Sequence, residues 1–249
     1  MSARRKGPKT NSTRFFRFLT ALAALALAAL FFLGAPFFYI SDIGVFGNEK
    51  FSAEEIKHIA GAAGGSVNLF SFRTDKARGA LLEDPYIKSA DFKKTFPNRL
   101  EITIAERAEK CYVECKNPTV FLAIDETGMV LGKEDYISAK LPLIVGLSLD
   151  GFFIGEPLKT ENDGDFNDVV LLNRVFEKYG ISNILKIDLS DRENLHIFIG
   201  FVDVIFGSMD NYDYKVKMLR EIMAKLPEDS AGFLDISDPE RDAVFKRLK

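Results

Sequence analysis

The sequence predicts an α+β protein with an N-terminal transmembrane helix, a compact β-α-α-β-β domain, and then a β-rich domain with two or more helices. Three observations support this prediction. Residues 18–41 carry no charged side chain. Residues 42–107 alternate between strand-like and helix-like periodicity. Residues 108–249 contain many short runs in which apolar and polar residues alternate, which is typical of half-buried strands.

The first 41 residues indicate a membrane anchor. A helix of 24 residues rises about 36 Å, which is enough to cross a hydrocarbon core of about 30 Å. Six basic residues precede Phe18, and the first acidic residue is Asp42. By the positive-inside rule, we expect residues 1–17 to be a basic cytoplasmic tail and residues 18–41 to be a single transmembrane helix. The remaining chain, including the C terminus, is then extracytoplasmic.

A cleaved signal peptide has the same order of basic and apolar residues. Its apolar part is about 7–15 residues long, however, and the run here is longer. Bulky Phe31, Phe32 and Leu33 also follow the alanine-rich part, where small residues would favour cleavage. The sequence therefore favours an uncleaved anchor.

The charge of the remaining chain argues against nucleic-acid binding. Six of the 33 basic residues precede Phe18, so residues 42–249 hold 27 basic residues against all 36 acidic ones, a net charge of −9. Such a domain repels a phosphate backbone. The basic tail is expected to lie against anionic lipid headgroups.

The two cysteines are expected to remain unpaired. On one extended strand, the Cα atoms of Cys111 and Cys115 would lie about 13 Å apart. A disulfide needs Cα atoms within about 7 Å of each other. The fold must therefore be stabilised by packing.

Residues 42–107 read as a strand, two helices and two further strands. Ser52 and Glu55 form a capping box that starts the first helix, and Gly61 stops it. The other predicted elements are strands at 43–46, 90–96 and 100–105 and a helix at 74–83. They are sufficient for a three-stranded sheet with two helices on one face.

This succession of motifs resembles the POTRA domain of the FtsQ/DivIB family of bacterial cell-division proteins. Each motif alone is common, but their order and spacing after an anchor are specific. The resemblance implies a POTRA domain at 42–107 and the family's β domain at 108–249. The matching residues are Ile43-x-Val45-x-Gly47-Asn48, Ser52-x-Glu54-Glu55-Ile56, Asn68-Leu69-Phe70, Pro85-Tyr86-Ile87-Lys88-Ser89-Ala90 and Phe96-Pro97-Asn98-Arg99-Leu100-x-Ile102-x-Ile104-x-Glu106-Arg107.

The rest of the chain matches the family's β domain more loosely. A turn at Asp125-Glu126-Thr127-Gly128 joins two predicted strands, and helices are predicted at 166–179 and 212–226. On the second of these helices the basic side chains are expected to face outward. These outward basic residues are Lys215, Lys217, Arg220 and Lys225. The last predicted elements are strands at 232–236 and 243–248.

The residue patterns do not indicate an enzyme. His58 and His196 are far apart in sequence, and no spacing typical of a metal site includes them. The acidic run 161–168 alternates as a calcium loop does, but Phe166 stands where that loop needs Gly, and Leu172 where it needs Glu. We therefore expect a non-enzymatic protein with no catalytic residues, no cofactor and no metal.

The resemblance implies a divisome scaffold at the division septum of the cell membrane. Its expected partners are the FtsB/DivIC-like and FtsL-like division proteins and, through them, the septal peptidoglycan synthase. Binding would use strand addition to an unpaired edge of the β domain. By position, the partner-binding residues are Phe233, Leu234, Asp235, Ile236, Ser237, Ala243, Val244 and Phe245.

Three alternatives remain open. Phe233, Leu234 and Ile236 can instead be core residues of the last strand. The chain can also be a membrane-tethered, extracytoplasmic cell-wall hydrolase, which would need a catalytic pair in a cleft. A POTRA-type transport or assembly factor would need a long series of barrel strands after residue 107.

Overall fold

A computed structural model describes residues 12–33, 36–63, 65, 67–116, 119–137, 141–161, 164–227 and 229–248. The mixed α+β class predicted from the sequence is confirmed. The chain divides into two compact units, each formed by discontinuous stretches of sequence. The first unit comprises residues 1–82 and 89–105, and the second comprises residues 83–88 and 106–249.

The N-terminal helix α1 spans Ser12–Leu33 and exposes large apolar side chains, among them Leu22, Leu25 and Leu27. A short 3-10 turn follows at Pro36–Phe38. The predicted continuation of the helix to residue 41 is therefore wrong, because Pro36 disfavours helical conformation in the residue before it. Within the described ranges, no helix has both the length and the apolar character needed to cross a membrane.

The first unit contains a three-stranded sheet and two short helices. The strand order is β1-β3-β2, and β1 runs parallel to β3. This is the strand and helix order that the sequence predicts. The elements are β1 (Asp42–Phe46), α2 (Ala53–Ile59), α3 (Thr74–Leu82), β2 (Ile87–Thr95) and β3 (Arg99–Glu106).

Local sequence signals account for the ends of α2. The backbone N–H of Glu55 donates to Ser52 Oγ over 3.2 Å, and the N–H of Ser52 donates to Glu55 Oε2 over 2.8 Å. The predicted capping box is thus confirmed. The helix ends before Gly61, whose φ of +65° lies in the left-handed region that favours glycine. Ile56 then contributes a fully buried side chain to the core of this unit.

Among its described residues, the second unit contains one sheet of nine strands, in the order β12-β11-β10-β9-β8-β7-β4-β5-β6. Helices α4 (Asp165–Tyr179) and α5 (Tyr212–Met223) contact each other. The strands are β4 (Cys111–Lys116), β5 (Thr119–Ile124), β6 (Val130–Glu134), β7 (Leu143–Val145), β8 (Ile184–Asp188), β9 (Leu195–Ile199), β10 (Val202–Gly207), β11 (Gly232–Asp235) and β12 (Val244–Arg247).

One apolar core joins the two helices to the sheet. Val169 and Leu172 of α4 and Val216 and Leu219 of α5 are fully buried, and they belong to the same cluster as the inward residues of the strands. Burying such side chains contributes about 1.5–3 kcal/mol each to stability. The principal strand members of the cluster are Val113, Leu122, Ile144, Ile187, Ile197, Val204 and Leu234.

The predicted turn after β5 is present and is organised by Asp125. Its Oδ1 accepts hydrogen bonds from the backbone N–H groups of Thr127 over 2.7 Å and Met129 over 2.9 Å. Gly128 has a φ of +91°, and an added Cβ there would lie 2.5 Å from the Phe166 ring. The turn therefore requires glycine at this position.

Lys215 contradicts the prediction that the basic residues of α5 face outward. Its side chain is 1% exposed, and its Nζ donates to the carbonyl oxygens of Phe206 over 3.1 Å and Ser208 over 3.0 Å. The reason is helical spacing. Lys215 lies four residues before the buried Leu219 and therefore shares its face. Lys217 and Arg220 are exposed, as predicted.

Both cysteines lie on β4 and both are free thiols. Cys111 is buried in the core and Cys115 is half-buried. The prediction that they do not pair is confirmed.

Candidate partner-binding edge

β12 is the edge strand of the nine-stranded sheet. It pairs antiparallel with β11 on one side, and no strand within the described residues pairs with its other side. β11 is itself paired on both sides, because it also runs parallel to β10. The backbone available for strand addition therefore belongs to β12 and not to β11.

The register of β11 and β12 determines which side chains face the core. Leu234 lies opposite Phe245, and these two residues pack on the core side. The neighbouring pairs, Phe233 with Lys246 and Asp235 with Val244, point to the opposite face because side chains alternate along a strand. Phe233 is 41% exposed and Val244 is 61% exposed.

The hydrogen-bond pattern identifies the outward backbone groups of β12. The N–H of Leu248 donates to the carbonyl of Ala231 over 2.9 Å. In an antiparallel ladder, hydrogen-bonded and non-hydrogen-bonded pairs alternate. Lys246 and Val244 are therefore bonded to β11 in the same way, while the N–H and C=O groups of Phe245 and Arg247 point to the unpaired side.

A side-chain turn follows β11, and glycines allow its neighbours to approach closely. Asp235 Oδ1 accepts from the N–H of Ser237 over 3.0 Å and from its Oγ over 2.7 Å. An added Cβ on Gly232 would lie 2.4 Å from the carbonyl oxygen of Lys246. On Gly207, whose φ is +72°, it would lie 2.8 Å from Ser237 Cβ. Both glycines allow close approach of the last strands.

The structure places the eight predicted residues in different surroundings, and Phe233 lies on β11 with an exposed side chain. Leu234 and Ile236 are each 1% exposed and belong to the core, which agrees with the alternative interpretation for these two positions. Asp235 and Ser237 form the turn. Ala243 precedes β12, and Val244 and Phe245 lie on it. Whether any of them binds a partner stays a prediction.

Lys246 and Arg247 are exposed residues of the edge that were not among the predicted site residues. They lie inside the predicted strand 243–248, but the family pattern draws attention to residues further upstream. The signal that identifies them is strand parity, because the partly buried Phe245 shows which face each of its neighbours takes. The two side chains give the edge a positive charge.

The histidines and acidic residues form no cluster of three or more potential metal ligands in the described part of the chain. His196 Nδ1 lies 2.8 Å from Asp203 Oδ1, across the pair β9 and β10. His58 is exposed on α2. In the acidic run 161–168, residues 162 and 163 lie outside the described residues.

Comparisons with known proteins agree with this architecture. Residues 38–107 match the model of the FtsQ-type POTRA domain. The chain is 24% identical over 215 residues to cell division protein DivIB of Clostridium tetani, covering 84% of this chain and 80% of that protein. It is 27% identical over 210 residues to DivIB of Clostridium acetobutylicum, covering 82% of each.

A relative with the other family name matches over a similar length. Cell division protein FtsQ of Syntrophotalea carbinolica is 24% identical over 231 residues, covering 88% of this chain and 76% of that protein. These matches extend well beyond the POTRA domain and include a large part of the second unit. The resemblance to the FtsQ/DivIB family of bacterial cell-division proteins that the sequence indicates is confirmed: residues 38–107 match the FtsQ-type POTRA domain, and most of the chain is similar to cell division proteins named DivIB and FtsQ.

Proposed function

We propose that this protein is a non-enzymatic divisome scaffold that binds its partners by strand addition to β12. The observation that carries the proposal is the unpaired outer side of this strand within the described residues. A partner strand there would complete the hydrogen bonds of Phe245 and Arg247, whose backbone groups point outward. The core-facing side chains of β11 are not needed for this contact.

The charge of the edge favours an acidic partner strand. Lys246 and Arg247 are both exposed, and they project to opposite faces of the sheet because they are neighbours on one strand. An acidic side chain of a partner strand would therefore lie near Lys246 on one face of the sheet or near Arg247 on the other face. Opposite charges across a strand pair contribute roughly 0.2–1 kcal/mol.

We further propose that the partners are FtsB/DivIC-like and FtsL-like division proteins, and that they link this chain indirectly to the septal peptidoglycan synthase. The support comes from the cell-division names of the relatives and from the edge geometry. In this proposal the protein brings cell-wall synthesis proteins together and performs no chemistry itself.

The proposed scaffold is attached to the cell membrane at the septum. In this proposal the basic residues before Phe18 lie on the cytoplasmic side, α1 is the membrane segment, residues 42–107 form the POTRA domain and residues 108–249 form the extracytoplasmic β domain. The support is the uncharged run of 24 residues and the exposed apolar side chains of α1. The basic residues on its N-terminal side favour a cytoplasmic N terminus.

Site-specific photo-crosslinking of the full chain in living cells tests the partner and the edge together. Benzoylphenylalanine in place of Val244 should crosslink to the FtsB/DivIC-like or FtsL-like protein. The same group in place of Tyr136, which is 87% exposed just after the opposite edge strand β6, is the matched control. Equal crosslinking at both positions, or none at Val244, would contradict the proposal.

Zymography on peptidoglycan distinguishes the scaffold from a tethered cell-wall hydrolase. We expect the purified full chain to leave the peptidoglycan intact. A clear lytic band that persists in several preparations would show that the protein is an enzyme.

A further inference from the structure

Four phenylalanine rings form a continuous aromatic row in the first unit. The ring centroids of Phe37 and Phe38 are 5.4 Å apart, those of Phe38 and Phe70 are 5.0 Å apart, and those of Phe70 and Phe96 are 5.0 Å apart. Phe38 is buried, but Phe37, Phe70 and Phe96 are 64%, 44% and 59% exposed. The exposed rings are therefore contiguous and not scattered singly, which makes the row a candidate contact surface.

The row is held together by backbone hydrogen bonds between three separate segments. The N–H of Leu69 donates to the carbonyl of Phe38 over 2.8 Å, and the N–H of Ile40 donates to the carbonyl of Val67 over 2.9 Å. On the other side, the N–H of Ser41 donates to the carbonyl of Asn98 over 3.1 Å. The three exposed rings therefore form one fixed surface.

This surface lies at one end of the three-stranded sheet. β1 starts at Asp42, opposite Arg99 at the start of β3. The segments with Phe37 and Phe96 precede these two residues, and Phe70 lies between α2 and α3. The other end of β1 is Phe46, which pairs with Thr103 about 13 Å further along the strands. Phe46 is 50% exposed, so the two ends carry phenylalanines of comparable exposure.

Chain length brings the aromatic end close to the end of α1. Phe37 is four residues after Leu33, where α1 ends, and four extended residues span at most about 14 Å. The headgroup region on each side of a bilayer is roughly 5–7 Å thick. The sequence before Asp42 also has no acidic residue that an anionic lipid surface would repel.

We propose that Phe37, Phe70 and Phe96 form a lipid-contacting patch that seats this end of the POTRA domain in the headgroup region of the membrane. The proposal rests on the proposed membrane attachment through α1. Phenylalanine is among the apolar residues that membrane-surface segments bury at the boundary between headgroups and acyl chains. The patch restricts the tilt of the domain relative to the membrane. Without it the domain is attached only through the chain that follows α1, and Phe70 and Phe96 add lipid contacts from two other segments.

The chain has no tryptophan, so a single introduced tryptophan reports its own surroundings. We would prepare the full chain with Phe96→Trp, Phe37→Trp, Phe46→Trp or Leu22→Trp. Each variant is reconstituted into vesicles of phosphatidylethanolamine and phosphatidylglycerol, with either ordinary or brominated acyl chains. Bromine quenches tryptophan emission only at short range, so the loss of emission measures contact with lipid.

We expect emission to be lost for Leu22→Trp, Phe37→Trp and Phe96→Trp, and to be retained for Phe46→Trp. Quenching of Leu22→Trp without quenching of Phe96→Trp would overturn the patch and leave the membrane attachment intact. Equal quenching of Phe46→Trp and Phe96→Trp would also overturn it, because the contact would not be specific to one end. Unquenched Leu22→Trp would overturn the membrane attachment and the patch with it.

Discussion

Arg107 Nη1 lies 2.6 Å from Asp125 Oδ2, in an ion pair that leaves the Asp125 side chain 3% and the Arg107 side chain 16% exposed. Both residues belong to the second unit. Burial by itself raises the pKa of Asp125. The hydrogen bonds from Thr127, Met129 and Arg107 outweigh burial and hold the pKa below its ordinary value. The folded state therefore favours the charged carboxylate.

Removing Arg107 should destabilise the fold. Arg107→Ala leaves Oδ2 of a buried carboxylate without its cation, and we expect a loss of about 2 kcal/mol in the free energy of unfolding, measured by urea denaturation at pH 7. Lys88→Ala is the control, since Lys88 and Glu126 form an exposed ion pair at 3.0 Å. That variant should change stability by less than about 0.5 kcal/mol. Equal effects of the two variants would contradict this interpretation.

The same site predicts a pH dependence. Because the pKa of Asp125 is lower in the folded state, its contribution to stability is fully present at neutral pH. It is lost as the pH falls below about 4 and through the folded pKa. The difference in unfolding free energy between the unmodified protein and Asp125→Asn should therefore be larger at pH 7 than at pH 3. A difference independent of pH would mean that the carboxylate charge contributes nothing.

The two thiols should differ in reactivity. Burial raises the pKa of Cys111 to about 12, although a hydrogen bond with Asn173 opposes the shift. Because the thiolate is the reactive form, a maleimide at pH 8 should label only Cys115 in the folded protein and both cysteines in denaturant. In Cys115→Ser the folded protein should remain unlabelled. Rapid labelling of that variant would show that the core around Cys111 opens readily.

Lys215 predicts a change of stability at alkaline pH. Burial lowers its pKa, with Asp210 and Asp238 opposing the shift, so the unfolded state binds its proton more tightly. Stability then rises with pH between the folded pKa and the ordinary value of about 10.4. The unmodified protein should gain stability relative to Lys215→Met as the pH rises through that window. Lys217 is exposed, so the stability difference between the unmodified protein and Lys217→Met should not change in this way. A similar pH-dependent change for both variants would contradict the conclusion that burial of Lys215 causes it.

Periodicity and capping signals predicted helices α2 to α5 and the strands of the first unit, because these signals are local. Residue type alone gives the wrong prediction for Lys215. Its charge predicts an exposed side chain, but its position four residues before Leu219 places it on the buried face of α5. There its Nζ donates to two carbonyl oxygens. The end of α1 shows a related limit. The uncharged run extends to Ser41, but Leu33 ends the helix, since apolar composition does not report backbone conformation.

The partner-binding edge could be predicted only in part. The sequence indicated two terminal strands and their approximate limits, but strand order is a long-range property. That β11 lies between β10 and β12 depends on a parallel pairing across α5, and no local pattern reports it. As a result the sequence left open whether the side chains of Leu234 and Ile236 are core, which they are, and it did not indicate Arg247 as an edge residue.

The most direct measurement of the central claim compares partner binding by two neighbouring proline variants of β12. Arg247→Pro removes an N–H that points outward, while Lys246→Pro removes one that bonds to β11. Binding of the FtsB/DivIC-like ectodomain to the full chain is measured together with the Tm of each variant. We expect Arg247→Pro to weaken binding at least tenfold with a Tm near that of the unmodified protein, and Lys246→Pro to lower the Tm more. Unchanged binding by a stably folded Arg247→Pro would contradict strand addition at β12.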